Sequence, residues 1–239
     1  MAKSRQGGRA IKRRVLDLLK SRDFDDALDE LYRLPAFRVI NPLFAFLYSS
    51  DEEIKWAAVS AMGAVVSKVA DEDLEASRIV MRRLMWNLND ESGGIGWGSP
   101  EAMGEILANH QKLAEEFGHI LLSYTRTDGN YLENERLQRG LLWGIGRLSQ
   151  SRPELVKHAI PYLMQYLTSQ DASVRGIAAW VMGLLGAEEA SPALVTLKKD
   201  EAALQLYIDR QIVECKVCKL AEEALDRLSS QSRKARRGL

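Results

Sequence analysis

The chain has 239 residues, enough to bury a substantial core, and its 46% apolar and 28% charged content is ordinary for a globular protein. No run approaches the roughly 18–20 apolar residues needed to span a bilayer, and the basic start MAKSRQGGRAIKRR leads into no apolar stretch, which points to a cytoplasmic protein with no membrane partner. Net charge is zero, but residues 1–16 hold six Lys/Arg and residues 229–239 hold four, with no acid in either, so residues 17–228 stand at −10; an acidic body is a poor match for a duplex-binding face.

In chain order, residues 1–14 are expected to form a basic flexible tail, and Asp23–Leu34 an amphipathic helix stopped by Pro35. Pairs of helical stretches follow. The first members are Phe37–Tyr48, Leu74–Asn87, Gln111–Tyr124 and Pro153–Leu167, all with apolar spacing of helical period. The second members align without gaps on a glycine: Ile54–Gly63, Ile95–Gly104, Leu137–Gly146 and Val174–Gly183. These glycines lie 41, 42 and 37 residues apart, the period of stacked helix pairs. An aliphatic residue precedes each glycine (Met62, Met103, Ile145, Met182), with Ala58, Ser99, Leu141 and Ala178 four earlier, marking one buried face. Glycine inside a helix costs up to about 1 kcal/mol against Ala, so close packing between helices is its expected reason. Joints such as Ser49-Ser50-Asp51 and Ser169-Gln170-Asp171 should end one helix and cap the next. From Leu204 the pattern alternates, and Asp209-Arg210 could turn the chain, which fits a short β-hairpin over residues 204–216. Val217–Leu228 reads as a last helix, and 229–239 as a second basic tail.

Neither helix of a pair buries its apolar stripe alone, so the pairs should stack as one domain over residues 15–228. The segments Val174-Arg-Gly-Ile-Ala-Ala-Trp-Val-Met-Gly183 and Ile54-Lys-Trp-Ala-Ala-Val-Ser-Ala-Met-Gly63 resemble the HEAT-like repeat also found in bacterial phycobilisome-lyase subunits. The resemblance spans roughly residues 37–228 and implies an all-α, right-handed α-α superhelix. On function it is nearly silent, since the family includes scaffolds, lyases, a hydroxylase and DNA glycosylases.

In such arrays the second helices line a concave face, and the family pattern leaves open the positions seven and three before the glycine. Here those hold Trp56 and Ser60, Trp97 and Glu101, Arg139 and Trp143, Gly176 and Trp180. Four of the five Trp fall on this stripe, an arrangement suited to a recognition groove. Arg136, Arg139, Trp143 and Arg147 share one helical face, as do Glu101 and Glu105 on the helix before. Mutual ion pairing that only stabilises the stack is the competing reading of these charges. The stretch from Asn87 to Gly104 is irregular, with Pro100 delaying its helix, Ser99 as the expected cap, and Asp90, Glu91 and Trp97 gathered in a loop that is either a ligand site or a plain long turn.

Catalytic constellations fail. Cys215-Lys-Val-Cys218 stands far from His110, His119 and His158, so two structural thiols are expected, without a metal. No His-Glu dipeptide matches the HEAT-like hydroxylases, no glycosylase motif can be matched residue by residue, and no cofactor is called for. The reading is a non-enzymatic scaffold holding a protein segment or peptide. A nucleic-acid groove, such as that of a HEAT-like DNA glycosylase, is the alternative, and a lyase-like site for a flat tetrapyrrole is the third.

Overall fold

The structure is a computed structural model that describes residues 2–89 and 96–237, with side chains over 7–89 and 96–231. It divides into two compact units, Met1–Leu113 and Ala114–Leu239, where the repeat alone suggested one domain.

The first unit contains α1 (Ala2–Leu19), α2 (Phe24–Arg33), α3 (Ala36–Leu47), α4 (Glu52–Glu72), α5 (Leu74–Leu88) and α6 (Ser99–Asn109). Helix α1 takes in the segment expected to be a tail, because Val15, Leu18 and Leu19 form a stripe buried in the core. Asp23, Asp51 and Asp73 cap α2, α4 and α5: Asp51 Oδ1 accepts from the Glu53 and Ile54 amides at 3.0 and 3.3 Å.

The second unit contains α7 (Gln111–Ser123) from Ala114 onward, α8 (Glu135–Ser151), α9 (Ile160–Leu163), α10 (Ala172–Leu185), α11 (Ser191–Leu197), strands β1 (Ala203–Ile208) and β2 (Gln211–Lys216), and α12 (Val217–Arg237). Residues 153–168 form a chain of short 3-10 turns around α9, not one helix, since Pro153 and Pro161 withhold amide donors. The antiparallel hairpin is present, with Leu206 opposite Val213 and a two-residue turn at Asp209 (φ 50°) and Arg210 (φ 63°). Helix α12 starts at Val217 as expected and continues into the segment read as a tail as far as Arg237.

Three of the repeat glycines, Gly63, Gly146 and Gly183, are contact points between second helices. A Cβ on Gly63 of α4 would strike Glu105 Cγ of α6, and one on Gly183 of α10 would lie 2.7 Å from Ala224 Cα of α12. A Cβ on Gly146 of α8 would collide with the ring of Trp180 on α10. Close approach is therefore the reason for these glycines, and at Gly146 the approaching group is an indole.

Candidate functional site

In the first unit, α4 carries Trp56 and α6 carries Glu101 and Glu105, with Trp97 in the turn just before α6. Trp56 and Trp97 are half-buried, whereas Glu101 and Glu105 are buried. The Lys55 ammonium lies 3.4 Å from Glu101 Oε1, 3.0 Å from Glu52 Oε2 and 4.7 Å from the centroid of the Trp56 ring. One turn beyond Glu101, Glu105 Oε1 accepts from Asn109 Nδ2 at 3.2 Å. Helix α6 carries these two acids and no Lys or Arg. Lys55 thus places a cation between an indole and a carboxylate inside a helix interface, where charge interactions are stronger than in water.

The entry to α6 differs from expectation. Gly98, in the left-handed region at φ 75°, occupies the cap position, and a Cβ there would lie 2.8 Å from the Leu47 carbonyl oxygen. Ser99 is the first helical residue and not the cap; its hydroxyl is buried and makes no hydrogen bond among the described residues. Glycine wins the cap position because only it can make this turn against α3 without strain. Asp90 and Glu91 lie outside the described residues.

In the second unit, the expected row is corrected. Trp143 is 2% exposed and Trp180 5%, so both belong to the core instead of opening onto a groove. Trp180 fills the space above Gly146, and Trp143 is covered by the hairpin. The Trp143 Nε1–H donates to the Tyr207 carbonyl oxygen at 2.7 Å, and the two rings sit 5.9 Å apart, tilted at 49°. Gly176, the other stripe position on α10, lies under Leu204, whose methyls would stand 2.9 Å from an added Cβ. Strand β1 therefore occupies the stripe that α8 and α10 would otherwise present.

The arginines of α8 do not act as one set. Arg139 makes a two-pronged pair with Asp171, its Nε reaching Oδ1 at 3.0 Å. Asp171 also caps α10 by accepting from the Val174 amide at 2.9 Å. Burial pushes the Asp171 carboxyl up, but the Arg139 hydrogen bond and the cap amides outweigh it and leave it below its ordinary value. Arg147 donates to Gln150 Oε1 at 2.7 Å, and Arg136 is exposed. Cys215 and Cys218 are free thiols; burial pushes the Cys215 thiol up, away from thiolate chemistry. Among the described residues no cluster of His, Cys, Asp and Glu could hold a metal, and no helix is long and apolar enough to cross a membrane.

Sequence reasoning passed over Trp86, the fifth Trp, which is 73% exposed on α5. The available signal was its spacing from Ile79, two turns earlier on a face otherwise occupied by arginines.

Residues 135–185 match the family described as HEAT-like repeat, and residues 174–200 match PBS lyase HEAT-like repeat. An uncharacterized protein of Archaeoglobus fulgidus is 27% identical over 190 residues, covering 77% of this chain and 94% of that protein. Solved structures with a similar fold include a designed armadillo repeat protein in complex with peptide (KR)4, at TM-score 0.51 and 18% identity, covering 91% of this chain and 99% of that one. Kap121p bound to Nup53p matches at TM-score 0.53 and 15% identity over 91% of this chain, which spans about a quarter (24%) of Kap121p. The chain carries HEAT-like repeats and has the fold of helical-repeat proteins.

Proposed function

We propose that this chain of HEAT-like repeats is a protein-binding scaffold whose α4–α6 face holds a basic segment of a partner protein. The observation that carries the reading is the Lys55 ammonium, set between the Trp56 ring and Glu101 at 4.7 and 3.4 Å. The half-buried Trp97 ring, in the turn before α6, offers an incoming Lys or Arg a further aromatic surface. Glu101 is paired with Lys55 and Glu105 is held by Asn109, so these buried acids act on a cationic partner only through the local field, and the half-buried indoles supply contact area for little loss of entropy. A stacked-helix surface is stiff, so little freedom is lost on binding. The fold-level likeness to a designed repeat protein solved with a (KR)4 peptide is consistent with this reading by analogy.

The test is fluorescence anisotropy with a labelled (Lys-Arg)4 peptide and, in parallel, a labelled single-stranded dT octamer. The wild-type chain should bind the peptide, and Glu101→Gln with Glu105→Gln should weaken binding at least tenfold while preserving side-chain shape. Preference for the oligonucleotide, or indifference to the two substitutions, would overturn the reading.

A further inference from the structure

Among the described residues, the large apolar side chains that the first unit leaves most exposed lie on α3 and α5. Phe37 is 69% exposed on α3, and Ile79 and Trp86 are 58% and 73% exposed on α5. Asn41 follows Phe37 by one turn. Arg83 sits one turn from both Ile79 and Trp86, and its Nη1 donates to Asn41 Oδ1 at 2.6 Å while its guanidinium covers the Phe44 ring at 3.9 Å. That contact joins the exposed residues of α3 and α5 into one patch.

Beside the patch a groove of ≈ 690 Å³ runs between α1 and α3, with Gly7, Gly8, Ile11 and Lys12 on one wall and Phe37 and Arg38 on the other. A Cβ at Gly7 or Gly8 would meet nothing within 4 Å. Glycine weakens a helix relative to Ala, and no described neighbour presses on these two. Their consequence is an open groove floored by bare backbone.

Among the described residues the charge on α3 and α5 is predominantly positive. Lys12 and Arg38 line the groove, and Arg82 and Arg83 border Trp86. Helix α3 has no acid, and the one acid of α5, Glu75, is held by Arg78 at 3.4 Å and Arg82 at 2.5 Å. Exposed apolar side chains bridged by the Arg83–Asn41 contact and accompanied by a net excess of positive charge favour a partner that is apolar on one side and anionic on the other.

We propose that the α1–α3–α5 surface docks an acidic amphipathic segment of a second protein. Its apolar side chains lie on Phe37, Ile79 and Trp86, and its carboxylates meet Lys12 and Arg38. The scaffold then has two chemically opposite faces on one unit, and this surface stands whether or not the α4–α6 face binds a basic segment.

The experiment places the photocrosslinker p-benzoylphenylalanine at Trp86 in the full chain in cells, with Val195 of α11, also exposed, as the control position. Captured segments are identified by mass spectrometry, synthesised and titrated by anisotropy. Segments specific to position 86 should be net negative and amphipathic. Their binding should weaken at least tenfold with Lys12→Glu plus Arg38→Glu, and likewise with Gly8→Leu, which fills the groove while raising helix propensity. Circular dichroism and the denaturation midpoint check that each variant folds. Neutral or basic segments, nucleic acid, lipid or a second copy at position 86, the same captures at Val195, no capture at all, or binding indifferent to the variants would each overturn the proposal.

Discussion

The indole N–H of Trp143 on α8 donates to the carbonyl oxygen of Tyr207 on β1 at 2.7 Å, tying the hairpin to the helix it covers. A buried carbonyl that loses its donor bears a desolvation cost of about 1–3 kcal/mol, and shrinking the side chain adds a cavity. Trp143→Phe is expected to destabilise the second unit by about 2–4 kcal/mol and to speed hydrogen exchange in β1 and β2 before that in α8. Uniform acceleration across the unit would show that the contact does not anchor the hairpin separately.

The glycines at the helix contacts should differ in sign from glycines elsewhere. A methyl on Gly183 would stand 2.7 Å from Ala224 Cα, a backbone atom that cannot swing aside. Gly183→Ala should cost about 1–2 kcal/mol, overpacking outweighing the gain in helix propensity. On α7 a methyl at Gly118 would make an ordinary 3.8 Å contact with Leu148, so Gly118→Ala should stabilise by up to about 1 kcal/mol. Urea unfolding midpoints decide both signs.

Arg210 holds φ 63° at the second turn position of the hairpin, where glycine carries no steric penalty. Arg210→Gly is expected to raise stability by about 1 kcal/mol, read as a higher melting temperature. A lower melting temperature would mean that the arginine side chain outweighs the backbone strain.

Asp171 joins the Arg139 pair to the cap of α10, and its carboxyl is held below its ordinary value in the folded state. A depressed carboxyl stabilises the fold fully above its unfolded pKa, about 3.9, and loses that contribution as pH falls through the lower folded value. Asp171→Asn keeps a capping side chain but removes the titration. The variant should lie below wild type at neutral pH, with the gap closing below about pH 4. A gap that stays constant down to pH 2 would remove the Arg139–Asp171 pair from the acid response.

Much of this architecture is written in local pattern. Asp51 and Asp171 cap their helices because a carboxylate next to free amides needs no distant partner, and the alternation of Leu204, Leu206 and Ile208 with the turn at Asp209-Arg210 is equally local. The groove row was less legible because its exposure depends on what packs on it. Trp180 sits at a position the repeat leaves open, yet the next helix back offers Gly146 as its socket. Trp143 is closed off by a strand 64 residues away. Gly146 was readable as a site of close approach, but nothing within its own segment says that an indole fills it. Of the first-unit positions on the expected stripe, Trp56 and Trp97 are half-buried, whereas Glu101 and Glu105 are buried, because their exposure too depends on what packs against them.

The most direct test of the scaffold reading uses the indole N–H signals of the five Trp in a ¹H–¹⁵N spectrum, assigned by single substitution, as (Lys-Arg)4 peptide is added. The α4–α6 face predicts that Trp56 and Trp97 shift saturably while Trp143 and Trp180, buried under the hairpin and against Gly146, stay in place. Shifts confined to Trp143 and Trp180, or no shift at any indole, would contradict it.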